Sequence, residues 1–254
     1  MDIQIKGRNC HYEQLGSGRD VLLLHGWGGS VESWIPVTNF LKDRCRVTVL
    51  DFPGHGTSGD PDETGWSVDE YFEFTAEFIE KTGIVGCDVI AHSFGGRVTL
   101  QLAGRRPDLV GRLLLTGAAG LRPRRGAKYY IRTYTFKGLK KLTYLLPGGA
   151  ALREKLSGRF GSADYKALKP SMRATFVKVV NQDLAEYLER IRAETLLVWG
   201  RNDTATPLWM GQEMEKHIKG SALIVLEDAG HFAYLEKCDQ FLRIVDAYLF
   251  PKDA

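Results

Sequence analysis

Between Cys87 and Ala103 the chain has to pass from strand to helix through a single residue. The apolar run Cys87-Asp88-Val89-Ile90 leads into Ala91-His92-Ser93-Phe94-Gly95-Gly96, and the amphipathic run Arg97-Val98-Thr99-Leu100-Gln101-Leu102-Ala103 follows at once. A turn that sharp forces strained dihedrals on its apex, and only small residues two positions to either side, here Ala91 and Gly95, leave room for it. Ser93 is then exposed at a helix N-terminus, where free backbone N–H groups and the positive end of the helix dipole favour an oxyanion close by. An isolated Ser-x-Gly is ordinarily no more than a helix cap. Here further motifs make Ser93 a candidate nucleophile.

A hydroxyl is a poor nucleophile until a base takes its proton, and the base needs a carboxylate to fix its tautomer. Strand-like Thr195-Leu196-Leu197-Val198-Trp199 ends in Gly200-Arg201-Asn202-Asp203, and strand-like Ala222-Leu223-Ile224-Val225-Leu226 ends in Glu227-Asp228-Ala229-Gly230-His231. Asp203 and His231 therefore stand just past strand C-termini, the edge at which open parallel sheets build their sites. The order Ser, Asp, His fits a triad on this elbow. Asp228 is the second candidate acid; Asp203 is preferred because Pro207 starts a helix beyond its turn. Val21-Leu22-Leu23-Leu24 is followed by His25-Gly26-Trp27-Gly28-Gly29, whose glycines let backbone N–H groups point inward. The N–H groups of Trp27 and Phe94 are the expected oxyanion donors.

These motifs, with the loop Asp51-Phe52-Pro53-Gly54-His55-Gly56-Thr57-Ser58, make the sequence resemble the α/β-hydrolase family over nearly its whole length, and within it the capped serine hydrolases. Ala91 departs from the glycine more usual there, with little consequence expected from so small a side chain. Serine at the nucleophile position disfavours the dehalogenases and epoxide hydrolases of this fold, whose chemistry needs a carboxylate.

Strand patterns near 3–5, 10–14, 21–24, 47–50, 87–90, 112–116, 195–199 and 222–226 alternate, from the third onward, with helical patterns over Val31–Leu41, Ser67–Lys81, Phe94–Arg105, Pro207–Ile218 and Glu236–Leu249. The fold class is α/β: an eight-stranded, mostly parallel sheet with helices on both faces and its first strands antiparallel at one edge. The alternation fails between about Leu121 and Arg190, where the resemblance implies a helical cap. The expected division is a core of residues 1–120 and 191–254 with a cap at 121–190 inserted between the sixth and seventh main strands.

The cap is basic. From Leu121 to Val180, 15 lysines and arginines face only Glu154 and Asp164, a net +13 that leaves −10 on the rest of a chain of overall charge +3. Solvated helix faces balanced by an acidic core are the preferred reading; steering of anionic substrates and contact with an acidic membrane surface are the alternatives. No nucleic-acid module appears, so nucleic acid is not an expected partner. The scattered Cys10, Cys45, Cys87 and Cys238 suggest reduced, mostly buried thiols rather than a disulfide framework or zinc site. With no secretion signal or membrane-length apolar run, a cytoplasmic protein is expected.

The expected chemistry is two-step acyl transfer on Ser93, with His231 as base and Asp203 aligning it, and with no metal and no cofactor. Trp27, Phe94, Phe232, Tyr129 and Tyr130 are the expected substrate-binding residues, suited to an apolar acyl or alcohol group. A carboxylesterase for small to medium esters is the first choice. The resemblance also allows a carbon–carbon hydrolase of aromatic ring-fission products, a lipase or lactonase, or a small-molecule receptor using the same pocket. Of the remaining residues, His92 is expected to pack beside the elbow, His25 and His55 to bond backbone, and Asp51 to tie down its own loop.

Overall fold

The computed structural model describes residues 1–122 and 168–251, together with Thr135 and Thr143. Eight strands form one sheet in the order β1-β2-β4-β3-β5-β6-β7-β8: β1 (Asp2–Ile5), β2 (Arg8–Leu15), β3 (Arg19–Leu24), β4 (Cys45–Leu50), β5 (Cys87–His92), β6 (Val110–Thr116), β7 (Thr195–Gly200) and β8 (Ala222–Leu226). β1, β2 and β4 pair antiparallel, and every pairing from β4 through β3 to β8 is parallel. The order reverses at β3, which lies between β4 and β5, and such a switch point opens a crevice at the strand C-termini.

β5 and β7 are buried at every position, as a sheet covered on both faces requires. One face carries α2 (Val68–Thr82), α3 (Phe94–Arg105), α5 (Ala185–Leu188) and α6 (Trp209–His217), whose apolar residues form one core with Leu22, Leu24, Val89 and Leu115. The other carries α1 (Ile35–Leu41) and α8 (Cys238–Leu249), packed on Val21, Leu23, Ile90 and Leu114. In α2 the helical face of Val68, Tyr71, Phe72, Thr75, Phe78 and Ile79 is buried throughout. Ser67 and Glu70 close a capping box at its start, and Gly83 ends it at φ 72°, a conformation that favours glycine.

Three helix starts move by two residues or more. The first turn at Val31–Trp34 is a 3₁₀ turn before α1, and Pro207 lies outside α6, which starts at Trp209. The last expected helix, Glu236–Leu249, starts instead at Cys238 as α8, after a separate short helix α7 (Ala233–Glu236) that ends before Lys237. All four cysteines are free, and three of them are buried. Among the described residues no helix is long and apolar enough to cross a membrane.

Of the 121–190 segment, α4 (Pro170–Asn181) and α5 are described. Gln182 anchors the end of α4: its Oε1 accepts from Val68 N at 2.9 Å and its Nε2 donates to Asp69 Oδ2 at 2.8 Å. Thr175 Oγ1 accepts from Trp66 N at 3.0 Å, so α4 runs along the start of α2.

Candidate active site

Ser93 joins β5 to α3 with φ 49° and ψ −106°, a left-handed backbone that costs roughly 1–3 kcal/mol and persists only where its surroundings impose it. They do so on both sides. Ser93 N donates to Thr116 O at 3.2 Å, and Ser93 O accepts from Arg97 N at 3.2 Å and Ala119 N at 3.0 Å. A Cβ at Gly95 would lie 2.3 Å from Leu24 O, so the elbow sits directly on the end of β3 and nothing larger than glycine fits.

His231 arrives from the loop after β8, and its Nε2 stands 3.0 Å from Ser93 Oγ. Its Nδ1 lies 2.8 Å from Asp203 Oδ2, from the loop after β7. With Nδ1–H donating to the carboxylate, Nε2 is left as an acceptor for the serine proton. Asp203 Oδ1 accepts from the Ala205 and Thr206 backbone N–H groups, both at 2.8 Å. Thr206 Oγ1 lies 2.8 Å from Asp203 Oδ2 and 2.9 Å from Gly117 O, so its single proton goes to one or the other. Burial acts to raise the Asp203 carboxyl, but the bonds from His231 and Thr206 outweigh it and hold the group below the ordinary carboxylate range. Asp228, the second candidate acid, is exposed at φ 53° and makes no such contact.

The backbone N–H groups of Trp27 and Phe94 have no partner among the described residues, and both residues line the cavity in front of Ser93. The turn that carries Trp27 is closed by Gly29 N donating to Gly26 O at 3.0 Å.

The pattern that defines the alpha/beta hydrolase family matches residues 21–244. The chain belongs to that family. Among its relatives are a dihydrolipoyllysine-residue acetyltransferase component of an acetoin cleaving system from Cupriavidus necator, 30% identical over 96% of this chain and 67% of that one. A pimeloyl-[acyl-carrier protein] methyl ester esterase of Nitrosomonas europaea is 26% identical over 94% of this chain and 99% of its own length. A 2-hydroxy-6-oxononadienedioate/2-hydroxy-6-oxononatrienedioate hydrolase of Escherichia coli is 27% identical, covering 96% and 92%.

In this α/β hydrolase three further histidines are buried close to the site. His25 Nε2 accepts from Phe52 N at 3.0 Å while its Nδ1–H donates to Gly26 O at 2.7 Å, which joins two loops. Burial brings its pKa down to about 4. His55 Nδ1 bonds Pro53 O at 3.2 Å, and burial, reinforced by His25, brings it to about 3. His92 bonds Thr116 O at 3.0 Å through Nδ1 and packs 4.8 Å from the His231 ring, and burial, reinforced by His231, brings it to about 3. His25 and His55 bond backbone as expected, and His92, expected to pack beside the elbow, bonds backbone as well; Asp51 secures its own loop through Thr57 N at 2.9 Å and also accepts from Val31 N at 2.7 Å.

The cavity has a volume of about 480 Å³ and is walled by Trp27, Phe94, Phe176, Val179, Met210 and Phe232 among others, with Ser93 and His231 at its base. Trp27 meets Phe94 and Phe176 edge-on, each with ring centroids 5.3 Å apart. Phe232 is half exposed. Tyr129 and Tyr130, also expected here, lie outside the described residues, as does most of the basic stretch.

Phe176, Val179 and Met210 were not expected from the sequence, and neither was the charged residue of the wall. Arg97, one turn into α3, lines the cavity, is 5% exposed, and donates from Nη1 to Gln182 O at 2.7 Å. Burial lowers its pKa to about 10, with Asp183 opposing through space, so it stays charged at neutral pH. The available signal was a lone charge one turn after Ser93 in an otherwise uncharged stretch.

Proposed function

We propose that this chain is a serine hydrolase acting on small to medium carboxylic esters through an acyl-enzyme on Ser93. The observation that carries the reading is the pair of bonds through His231, 3.0 Å to Ser93 Oγ and 2.8 Å to Asp203 Oδ2. His231 Nε2 takes the Ser93 proton as Oγ attacks the ester carbonyl, and Asp203 stabilises the imidazolium that forms. The carbonyl oxygen becomes an oxyanion beside Trp27 N–H and Phe94 N–H. His231 then protonates the departing alkoxide. Water attacks the acyl-enzyme with His231 again as base, releasing acid and restoring Ser93. Each oxyanion donor contributes about 3–4 kcal/mol to such a step.

The apolar walls suit a hydrocarbon acyl or alcohol group, and the relative named as a methyl ester esterase supports the ester reading. The relative named as an oxononadienedioate hydrolase supports the second reading, hydrolysis of a carbon–carbon bond in a ring-fission product. We also propose that 121–190 caps the cavity, since α4 supplies Phe176 and Val179 to its wall, and that the protein works in the cytoplasm, in keeping with its four free thiols.

Incubation with short-chain nitrophenyl esters is the test. Steady release of nitrophenol, lost in Ser93→Ala, is the expected result, with a fluorophosphonate adduct on Ser93. A single stoichiometric burst with no later turnover would refute it and favour a receptor. Turnover of a ring-fission diketone far above that of any ester would favour the second reading.

A further inference from the structure

Arg97 is a buried cation with no counter-charge paired to it among the described residues. No carboxylate oxygen lies within 4 Å of its guanidinium among the described residues, whereas the buried Asp88 pairs with Arg19 and Arg112 and the buried Asp203 with His231. Asp183, the acidic group that acts on it through space, is exposed and makes no bond to it. A guanidinium has five N–H donors in a rigid fork, and the one protein bond here goes from Nη1 to Gln182 O at 2.7 Å. That bond fixes the plane of the group and leaves the rest of the fork free for a bidentate acceptor.

The location narrows what the acceptor can be. Arg97 is four residues from Ser93, roughly 6 Å along the helix axis, and long side chains on a helix lean back toward its N-terminus. Of the described residues that line the cavity, Arg97 is the only lysine or arginine, and no aspartate or glutamate joins it. One charge among Leu121, Val179, Val180 and Met210 is neutralised by a monoanion. A phosphate dianion would leave surplus charge against apolar walls, at high cost.

We propose that Arg97 binds a carboxylate on the substrate, so that the esters hydrolysed at Ser93 carry a free acid group at a distance from the scissile bond. The carboxylate takes no part in the chemistry; it draws the substrate into the cavity and sets its register. The inference rests on the hydrolase reading and names the substrate class of that site.

Two pairs of esters test it. In the first, methyl half-esters of straight dicarboxylic acids are compared with methyl esters of equal length ending in a carboxamide, which puts the acid on the acyl side. In the second, acetate esters of hydroxy acids are compared with those of the matching hydroxy amides, which puts it on the alcohol side. The expected kcat/KM ratio of acid to amide in at least one pair is on the order of 10- to 100-fold, the range of a charge-assisted hydrogen-bonded contact. It falls toward 1 in Arg97→Gln and is intermediate in Arg97→Lys, which keeps the charge but not the fork. A residue that only ties α3 to Gln182 would lower both members of a pair together and leave the ratio unmoved.

A ratio near 1 in both pairs for the unmodified protein, or one unchanged in both variants, overturns the proposal. Ser93-dependent turnover of the amide-ended esters with no preference for acid sinks this inference alone. If no ester is turned over, the hydrolase reading fails, and calorimetric binding of monomethyl glutarate, a monoanion, to Ser93→Ala protein decides the role of Arg97. Binding abolished by adding Arg97→Gln supports it; binding that is absent or unaffected refutes it. Thermal unfolding of each variant shows that it is folded, and Arg97→Lys carries the test if Arg97→Gln is not.

Discussion

Lowering the pH from 7 to 5 strikes this fold at three points close to Ser93. His25, His55 and His92 are buried and bonded as neutral rings, and their pKa values fall from the ordinary 6.5 to about 4, 3 and 3. Between those values and 6.5 the unfolded chain holds protons that the folded chain refuses, so stability rises with pH across that window and is lost as pH falls through it. The full contribution is present above 6.5. At pH 5 each ring has forfeited about 2 kcal/mol, and the three together about 6, where a domain's whole stability is 5–15 kcal/mol. Charging two of them in place is no escape, because the His25 and His55 rings are only 5.3 Å apart and like charges there repel.

Equilibrium urea unfolding followed by tryptophan fluorescence at pH 7.0, 6.0, 5.5 and 5.0 measures this directly. The expected slope below pH 6 approaches three protons, about 4 kcal/mol per pH unit, with no change in the urea dependence at fixed pH. His55→Phe keeps a ring among Trp27, His25 and Phe94 and removes one titration, so the slope should fall by about one proton. A loss below about 2 kcal/mol between pH 7 and 5 would refute the reasoning, since the rings would then have water or partners that the packing denies them.

Asp203→Asn replaces an acceptor by a donor facing His231 Nδ1 and turns the ring to the wrong tautomer, so kcat should fall on the order of 10⁴-fold. Asp228→Asn is the control, expected to lie within twofold of the parent protein, and equal losses in the two variants would remove Asp203 from the triad. Gly95→Ala drives a methyl against Leu24 O, 2.3 Å away, and against His25 O, 2.9 Å away. Destabilisation of about 1–3 kcal/mol is expected, read as a fall in melting temperature of roughly 2–12 °C. An unchanged melting temperature would show that the elbow does not sit on β3 as described.

The elbow was legible because its demands are local. A strand, one residue and a helix fall within a short stretch, and Gly95 is small for a reason that lies in the adjacent strand end. The choice between Asp203 and Asp228 was harder, because both follow a strand and spacing alone allows either. Their loops decide it: Asp203 folds back to take the Ala205 and Thr206 N–H groups and so aims its second oxygen at His231, whereas Asp228 turns outward. Arg97 was not legible as a site residue. On an amphipathic helix its charge marks a solvent stripe, but from Phe94 to Ala103 every residue of α3 is buried. The burial comes from far along the chain, where Gln182, Leu184 and Leu188 close over the helix, and helical periodicity carries no record of that contact.

Dryness has opposite effects on the groups around Ser93, and the difference follows from their partners. Burial disfavours every charge, so a group keeps its charge only where bonds outweigh burial or where its ordinary pKa is far from neutral. Asp203 stays ionised by the first route, through His231 and Thr206, and Arg97 by the second, at about 10. His25, His55 and His92 have neither protection and become neutral framework, bonded to the carbonyls of Gly26, Pro53 and Thr116. His231 is thus the ring that Asp203 can support as it takes the serine proton. Among the described residues Arg97 is the buried cation with no protein carboxylate opposite it, the charge that a substrate carboxylate is proposed to match.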